Sequence, residues 1–286
     1  MSGGIVGFRG PVVVVGGGDL GTGVAHRLHC AGYRVVVLEK ERPTVVRRAV
    51  SFAQAALDGS AVVEEVEARR ESLSDLERHL RDGSWPGHVP VLVDPEGESI
   101  GALTPSALVD ARLAKVNLGT RRDDAGVTIG LGPGFTAVDD VDYVVETMRG
   151  HSLGRLIAHG SAAPDTGVPA AIAGVGEERG IRAPAPGHFH SSRSIGEIVD
   201  AGDVVGRVGG AEAVARIAGL LRGLVANGTE VGSGQKLGDV DPRGREIDHT
   251  MISDKARAVA GAVLEGLLRG GVLPDRFISA GSPDDV

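Results

Sequence analysis

The order of apolar and polar positions in residues 11–41 predicts a strand, a glycine turn, a helix and a second strand. Four consecutive valines, Val12–Val15, form a short β-branched run that is typical of a strand buried on both faces. Gly16, Gly18 and Gly21 follow the valines at G-x-G-x-x-G spacing. Leu20, Val24, Leu28 and Ala31 then recur at helical spacing, and Gly32 is placed to stop that helix. Residues 34–38 form a second apolar strand that ends at the carboxylate of Glu39. This order, with an acidic residue about 20 positions beyond the glycines, is the dinucleotide-binding pattern.

Each glycine of this turn has its own physical reason. Gly16 permits a tight turn, Gly18 lets the backbone approach a phosphate, and Gly21 lets the helix pack closely on the strand. The amides at the helix start then face an anion. Glu39 could accept hydrogen bonds from a ribose diol, while the basic residues after it could accommodate a 2′-phosphate, so NAD and NADP both stay open. The predicted ligand-binding residues are Gly16, Gly17, Gly18, Asp19, Leu20, Gly21 and Glu39. The alternative is a glycine turn that serves packing alone.

Further residues along the chain could bind the same ligand. Residues 127–131 form another buried type of strand, which is followed by Gly132, Pro133 and Gly134. Since parallel strands end at one edge of a sheet, this second turn would also offer amides to a phosphate at that edge. Arg47 and Arg48 could clamp a phosphate or carboxylate near the first turn, or could lie on a solvated helix face.

Strands and helices alternate from residue 11 to about residue 159, which predicts a parallel sheet covered by helices. Within this stretch, Thr104 and Pro105 predict the start of a helix through residues 106–119. Asp139 or Asp140 is predicted to cap another helix with apolar residues from 141 to 148 inside. Residues 161–180, rich in alanine, glycine and proline, predict a connection.

A repeat is present between residues 183 and 240. Gly187, Gly196, Gly202 and Gly206 recur after a shift of 32 residues as Gly219, Gly228, Gly234 and Gly238. Regular glycines without a helical period predict an all-β unit of two similar halves. This unit resembles the barrel-sandwich of biotinyl and lipoyl carrier domains. The hairpin at residues 209–213 lacks the lysine that such carriers modify, so we expect neither biotin nor lipoate and interpret the unit as a docking or capping module.

The predicted fold class is therefore α/β, a Rossmann-like parallel sheet domain plus a small all-β barrel-sandwich domain of the biotinyl or lipoyl type and a C-terminal helix. Ser253 and Asp254 are predicted to begin that helix, and Gly270 to end it. The predicted domains are residues 1–160, the connection 161–180, the β domain 181–243 and residues 244–286, whose helix packs back on the α/β domain or on a partner.

The composition of the chain limits the kinds of partner and the cellular setting that we expect. A net charge of −8 and an aromatic content of 3% exclude a typical nucleic-acid surface. Cys30 is the single cysteine, so no disulfide framework or thiolate metal cluster is expected, and a reducing cytoplasm is the predicted setting. Residues 1–10 carry no secretory pattern, and no apolar run approaches the ~20 residues that span a bilayer, so no membrane partner is predicted. The chain could form a homo-oligomer.

Catalytic residues and metal ligands are not assigned from the sequence. No serine, histidine and aspartate order and no cysteine nucleophile pattern stands out. His188 and His190, two apart on a predicted strand, have a spacing that can chelate a metal, but no third ligand is evident. No metal site is therefore predicted, and the role of these two histidines stays open.

Several longer phrases resemble one protein family across nearly the whole chain: GGGDLGTGVAHRLHCAGYRVVVLE, PTVVRRAVSFAQAALDG, VPVLVDPEG, LAKVNLGTR, IGLGPGFTA, VVETMRGHSLGR and TMISDKARAVAGAVLE. The sequence is similar to the selenium-dependent molybdenum hydroxylase system proteins, which are related in character to the xanthine dehydrogenase accessory proteins. The resemblance implies a maturation factor with a molybdenum hydroxylase as its client. It does not imply a hydroxylase, because the cysteine clusters that iron–sulfur centres need are absent from the sequence.

Two functional hypotheses follow. The first is an accessory factor that binds a nucleotide or the molybdenum-pterin cofactor at the two glycine turns. The second is an NAD(P)-dependent oxidoreductase with Lys115, His151 or Asp165 as catalytic residues in an interdomain active site. Whether the protein is an enzyme stays open between them.

Overall fold

The computed structural model describes residues 10–167 and 171–275. The prediction that residues 1–10 carry no secretory signal concerns residues that lie almost entirely outside this range. The described chain forms two compact units. The first unit comprises residues 10–41, 52–165 and 252–275, and the second comprises residues 42–51, 166–167 and 171–251. The domain boundaries given above stay predictions.

The first unit is built on a nine-stranded sheet whose centre is β1. In chain order its strands are β1 (Val12–Val15), β2 (Val35–Glu39), β3 (Ser60–Val63), β4 (Val66–Arg70), β5 (Val89–Val93), β6 (Ala107–Asp110), β7 (Val127–Leu131), β9 (Tyr143–Val145) and β10 (Leu156–Ile157), and a separate pair is formed by β8 (Thr136–Ala137) and β11 (Gly160–Ser161). The spatial order is β10-β9-β7-β6-β1-β2-β5-β4-β3. The seven inner strands are parallel, and the two edge strands β3 and β10 are antiparallel to their neighbours.

Five α-helices and three 3₁₀ helices complete the described chain. The α-helices are α1 (Asp19–Cys30), α2 (Gln54–Asp58), α3 (Leu73–Asp82), α4 (Ile100–Leu103) and α5 (Asp254–Arg269), and the 3₁₀ helices are Arg48–Val50, Glu177–Arg179 and Gly244–Glu246. The predicted C-terminal helix is confirmed, because the Ser253 hydroxyl accepts a hydrogen bond from the Ala256 amide and α5 begins there. Helix α5 packs along α1, and Gly23 makes this possible, since a Cβ at Gly23 would lie 2.8 Å from the Cβ of Ala256.

The second unit consists of two four-stranded antiparallel sheets. Its strands are β12 (Gly180–Arg182), β13 (Gly187–His190), β14 (Ile198–Val199), β15 (Val204–Val208), β16 (Ala211–Val214), β17 (Gly219–Leu224), β18 (Glu230–Val231) and β19 (Lys236–Asp241). The sheet orders are β12-β19-β17-β14 and β16-β15-β13-β18. The 32-residue repeat is confirmed at the level of strands, because β13, β14 and β15 begin at residues 187, 198 and 204, and β17, β18 and β19 begin at residues 219, 230 and 236.

The predicted fold class is wrong in both parts. The first sheet is mixed rather than parallel, because β3 returns to β4 through the two-residue turn at Glu64 and Glu65 and must therefore be antiparallel to it. The second unit is not the expected biotinyl or lipoyl barrel-sandwich. With β12–β15 as one half and β16–β19 as the other, each half contributes two strands to each of two separate sheets, so neither half forms a sheet alone.

Two predicted helices are strands in the structure. Residues 107–110 form β6 and residues 143–145 form β9. The Thr104-Pro105 pair, which resembles a helix start, instead follows α4, and Thr104 has a φ of +42°. Burial decides the outcome for residues 107–110, since all four lie fully inside the sheet between β1 and β7, where a helix would leave strand edges unpaired.

Asp239 is a buried carboxylate of the second unit that pairs with three cations. The residue is 2% exposed, and its carboxylate accepts hydrogen bonds from Arg179 Nη2 (2.9 and 3.0 Å) and Lys236 Nζ (2.8 Å) and pairs with Arg222 Nη2 (2.9 Å). Burial raises the pKa of this carboxyl, but the surrounding cations outweigh burial and hold the pKa below its usual value. The carboxylate therefore stabilises the folded state in its ionised form.

We expect Asp239→Asn to lower the free energy of unfolding by about 3–5 kcal/mol at pH 7, because the variant removes the buried charge with which Arg179, Arg222 and Lys236 all pair. Urea unfolding combined with hydrogen–deuterium exchange of the second unit measures this difference. A group whose folded pKa is depressed stabilises above its unfolded pKa of about 3.9, so the difference between wild type and variant should hold from pH 7 to about 5 and shrink as pH falls below about 4. A difference that is already lost at pH 6 would contradict this account.

Candidate functional site

The glycine turn between β1 and α1 lies at the carboxyl edge of the first sheet. Gly16 has a φ of +96°, and its amide donates to the Leu38 carbonyl (2.8 Å). A Cβ at Gly21 would stand 1.9 Å from the Gly16 carbonyl oxygen, so only glycine fits at that position. The strand, turn, helix and strand predicted for this segment are thus confirmed as local elements.

One amide of this turn already donates a hydrogen bond to a carboxylate of the protein, that of Glu39. The amide of Gly17 donates to Glu39 Oε2 (2.9 Å), and the amide of Lys40 donates to Glu39 Oε1 (2.9 Å). The carbonyl of Gly17 accepts hydrogen bonds from the hydroxyl of Thr22 and the amide of Ala53, both at 2.9 Å. Glu39, predicted to accept hydrogen bonds from a ribose diol, instead binds the turn itself, so the turn is not wholly open, and the role of Glu39 towards a ligand stays a prediction.

Two amides at the start of α1 keep their hydrogen-bonding capacity. Gly18 is the N-cap residue and has no side chain to bond the helix amides. The amide of Leu20 donates to Asp19 Oδ1 (3.0 Å), and the amide of Thr22 donates to the Gly18 carbonyl (2.7 Å). The amides of Gly18 and Gly21 donate no hydrogen bond within residues 10–167 and 171–275. These two amides are donors available to a ligand.

The second glycine turn lies at the same sheet edge but is packed by the protein's own chain. A Cβ at Gly132 would lie 2.7 Å from Thr147 Oγ1, and a Cβ at Gly134 would lie 2.7 Å from the amide nitrogen of Val116. The Gly132 amide donates to the Val145 carbonyl (2.9 Å), and Pro133 between the two glycines is half-buried. Strand β6 separates the two turns, and residues 111–116, which follow β6, lie against both of them.

Sequence reasoning missed a charged pair at the end of β6. Asp110 is 1% exposed, and its carboxylate accepts hydrogen bonds from Arg112 and from the Thr120 hydroxyl (2.7 Å). Asp110 and Arg112 lie in the helix predicted through residues 106–119, whereas residues 107–110 form a strand and Asp110 is its last residue. The available signal was the polar residue that directly follows the apolar run Ala107, Leu108 and Val109.

Lys255, also missed, is a half-buried cation near the start of α1. Burial lowers the pKa of its ammonium group; Asp19 and Glu146 act to raise this pKa, and Arg149 acts to lower it. Its neighbour Asp254 pairs with Arg149 (Nη1 to Oδ2, 2.9 Å). Lys255 itself has no ion pair in the part of the chain that the structure describes. Because Gly23 contacts Ala256, the starts of α1 and α5 lie side by side, with Lys255 in the first turn of α5.

The remaining predicted residues lie elsewhere. Arg48 Nε donates to the Leu224 carbonyl (2.7 Å) and Arg47 Nη2 to the Met251 carbonyl (3.4 Å), so both arginines belong to the second unit, and their role as a ligand clamp stays a prediction. Lys115 pairs with Asp165 (2.5 Å), while His151 is exposed. His188 and His190 are exposed on β13, and among the described residues they belong to no group of three possible metal ligands whose ligand atoms all lie within 4.8 Å of one another.

Fold and site together define an α/β protein whose sheet edge presents helix amides and a half-buried lysine. No family model matches the chain. Its sequence is 49% identical over 257 residues to an uncharacterised protein of Escherichia coli, YqeB, and this match covers 90% of the present chain and 47% of YqeB. The chain thus spans about half the length of the curated relative that it matches.

Solved structures give only distant likenesses. An aspartoacylase family protein from Mesorhizobium loti has 13% identity and a TM-score of 0.25, with 81% of this chain and 85% of that chain covered. A succinylglutamate desuccinylase/aspartoacylase from Rhodobacter sphaeroides has 14% identity and a TM-score of 0.23 over the same shares.

The predicted family and both predicted functions are corrected by these comparisons. The curated relative is described only as uncharacterised, and no comparison names selenium, molybdenum or a nicotinamide cofactor. On these findings the resemblance to the molybdenum hydroxylase system is wrong, and so are the maturation role and the alternative of an NAD(P)-dependent oxidoreductase.

Among the described residues, no helix has both the length and the apolar character needed to cross a bilayer.

The close approach of Gly21 to Gly16 in the glycine turn between β1 and α1 predicts how stability responds to substitution. Gly21→Ala should destabilise the protein by several kcal/mol, because the added Cβ would collide with the Gly16 carbonyl 1.9 Å away. Gly261→Ala in α5 is the matched control, since no atom lies within 4 Å of its added Cβ and alanine is favoured over glycine in a helix by about 1 kcal/mol. Thermal unfolding should show a large loss for the first variant and a small gain for the second. Equal melting temperatures would show that the close approach is unimportant.

Proposed function

We propose that the first unit binds a phosphate-bearing small molecule at the start of α1. The phosphate would accept hydrogen bonds from the amides of Gly18 and Gly21 and would pair with the ammonium of Lys255. The observation that carries the proposal is the combination of two unbonded helix-start amides with a half-buried lysine that has no ion-pair partner among the described residues.

Electrostatics supports an anion at this position. The first turn of a helix carries a partial positive charge, and here the first turns of α1 and α5 lie side by side. A lysine in the first turn of α5 adds positive charge where the helix dipole disfavours it, and partial burial removes some of its hydration. A bound phosphate would compensate both costs, because it adds negative charge and acceptor oxygens at the start of α1, beyond the charges of Asp19 and Glu146 that already act on Lys255.

The strand order of the sheet supports the same position for the ligand. The chain moves from β1 to β2 on one side, and it later crosses to β6 on the other side of β1. Open α/β sheets bind ligands outside the carboxyl ends of their strands at the point where the strand order reverses. Here that point lies between β1 and β6, directly beside Gly16 and Ala111.

Glu39 would then determine what accompanies the phosphate. Its carboxylate already accepts the Gly17 and Lys40 amides, so it excludes a second anion from that part of the turn. A carboxylate oxygen can accept further hydrogen bonds, and ligand hydroxyl groups are suitable donors. The proposed ligand is therefore a phosphorylated compound with neighbouring hydroxyl groups, such as a sugar phosphate. The setting that we propose for it is a reducing cytoplasm, because Cys30 is the single cysteine.

Calorimetric titration with ribose 5-phosphate, with ribose and succinate as comparison ligands, tests the proposal. Wild type should bind ribose 5-phosphate and bind neither comparison ligand measurably. Lys255→Met should weaken binding about 10- to 100-fold, the loss of a charge-assisted hydrogen bond worth about 1.5–3 kcal/mol. Arg78→Met removes one positive charge from an exposed position on α3 and should bind as wild type. Equal affinities of wild type and Lys255→Met, or preference for succinate, would refute the site.

The pKa of Lys255 predicts a pH dependence. Only the ammonium form pairs with an anion, and burial lowers the pKa of this group below its usual value. With sulfate as a probe that does not titrate near neutral pH, affinity should fall as pH rises through the lowered pKa. Lys255→Arg should keep its affinity to higher pH, since arginine stays protonated. A wild-type affinity that is independent of pH up to 10 would contradict the assignment of Lys255.

A further inference from the structure

The second half of α1 meets the β3–β4 turn in a cluster of different metal-ligand types. His26 and Cys30 are four residues apart, which places them on one face of the helix. Glu65, in the two-residue turn, lies beside them, and the ligand atoms of His26, Cys30 and Glu65 all lie within 4.8 Å of one another. His26 Nδ1 and Cys30 Sγ are 3.8 Å apart. Two ligands of a tetrahedral zinc ion are about 3.5 Å apart at usual bond lengths, so a small side-chain adjustment suffices.

The imidazole of His26 is already oriented for such a role. The residue is 7% exposed, and its Nε2 atom is buried without a hydrogen-bond partner. Glu64 Oε2 lies 3.6 Å from this atom. The other carboxylate oxygen, Glu64 Oε1, is fixed by the Ile252 amide (3.0 Å) and by Arg257 Nη2 (2.5 Å). A metal-bound histidine normally donates its second ring N–H to a carboxylate, and Glu64 is anchored in the place that this pattern needs.

We propose that His26 Nδ1, Cys30 Sγ and a Glu65 carboxylate oxygen bind one Zn²⁺ ion, with water as the fourth ligand. Nitrogen, sulfur and oxygen ligands together suit zinc better than magnesium or calcium, which take oxygen ligands. Three protein ligands with one open position are the arrangement of a zinc site that can also bind a further molecule.

Zinc binding would form the Zn–S bond and release the proton of the Cys30 thiol to solvent.

The β3–β4 turn shows a local departure that fits this role. Two-residue hairpin turns favour asparagine and glycine, because one or both residues take a positive φ. Here two glutamates occupy the turn, and Glu64 has a φ of +52°. Glu65 is exposed and makes no hydrogen bond or ion pair among the described residues, so its carboxylate can rotate towards the metal.

The site shares no residue with the proposed phosphate site, so the two proposals are tested separately. Titration of the full chain with Co²⁺ tests the proposed zinc site. Cobalt bound to a thiolate shows a charge-transfer absorption in the near ultraviolet, which reports on ligation by Cys30. Wild type should bind one equivalent of Co²⁺ with this absorption, and Zn²⁺ should displace the cobalt. Cys30→Ser should abolish the absorption, and His26→Gln and Glu65→Gln should each weaken binding at least about 10-fold.

His79→Gln removes an imidazole from α3 and should bind as wild type. Glu65 is exposed, so its variant tests the site even if His26→Gln perturbs folding, which circular dichroism would reveal. Binding without thiolate absorption, or an affinity unchanged by both Cys30→Ser and Glu65→Gln, would overturn the proposal. Loss of binding only in a His188→Gln, His190→Gln double variant would also overturn it, because the metal would then be held on β13.

Discussion

The close approach of Gly21 to the Gly16 carbonyl is the constraint on which the first unit depends. It brings the start of α1 against the end of β1, because no side chain stands between them. The same helix then approaches α5 at Gly23, where a second missing Cβ lets two helices meet at backbone distance. These two approaches hold α1 against the end of β1 and against α5. The amides of the glycine turn, the first turn of α5 and the β3–β4 turn all take their positions from α1.

Sequence reasoning recovered the parts of the fold that local chemistry decides. The valine run, the glycine spacing and the Ser253 cap each specify their element within a few residues, and β1, α1 and α5 formed as expected. The 32-residue shift found in the glycines likewise relates the strand starts of the second unit. Strand β6 was missed because Thr104 and Pro105 imitate a helix start, while burial between two strands decides the outcome. Local pattern carries no information about that burial.

The candidate site divides in the same way. Glu39 could be placed near the glycine turn, because the distance along a strand, turn, helix and strand is fixed by element lengths. The position of Lys255 near this turn could not be predicted from the sequence, because Lys255 is more than 200 residues away along the chain and only the packing of α5 on α1 places it there. The family resemblance failed for a different reason. It rested on similar phrases, which specify turns, caps and strands but not the chemistry of any site.

The two proposed sites lie towards opposite ends of α1, and the helix dipole favours this arrangement. An anion is favoured at the first turn, near Gly18, and a cation is favoured at the last turn, where Cys30 ends the helix. The dipole contributes only about 0.3–1 kcal/mol at each end and is screened by salt, whereas a charge-assisted hydrogen bond contributes about 1.5–3 kcal/mol. Direct contacts therefore determine both affinities, and the dipole determines only which charge suits which end. Because α1 is held at Gly21 and Gly23, occupancy of one site would shift the other little, and the two should bind independently.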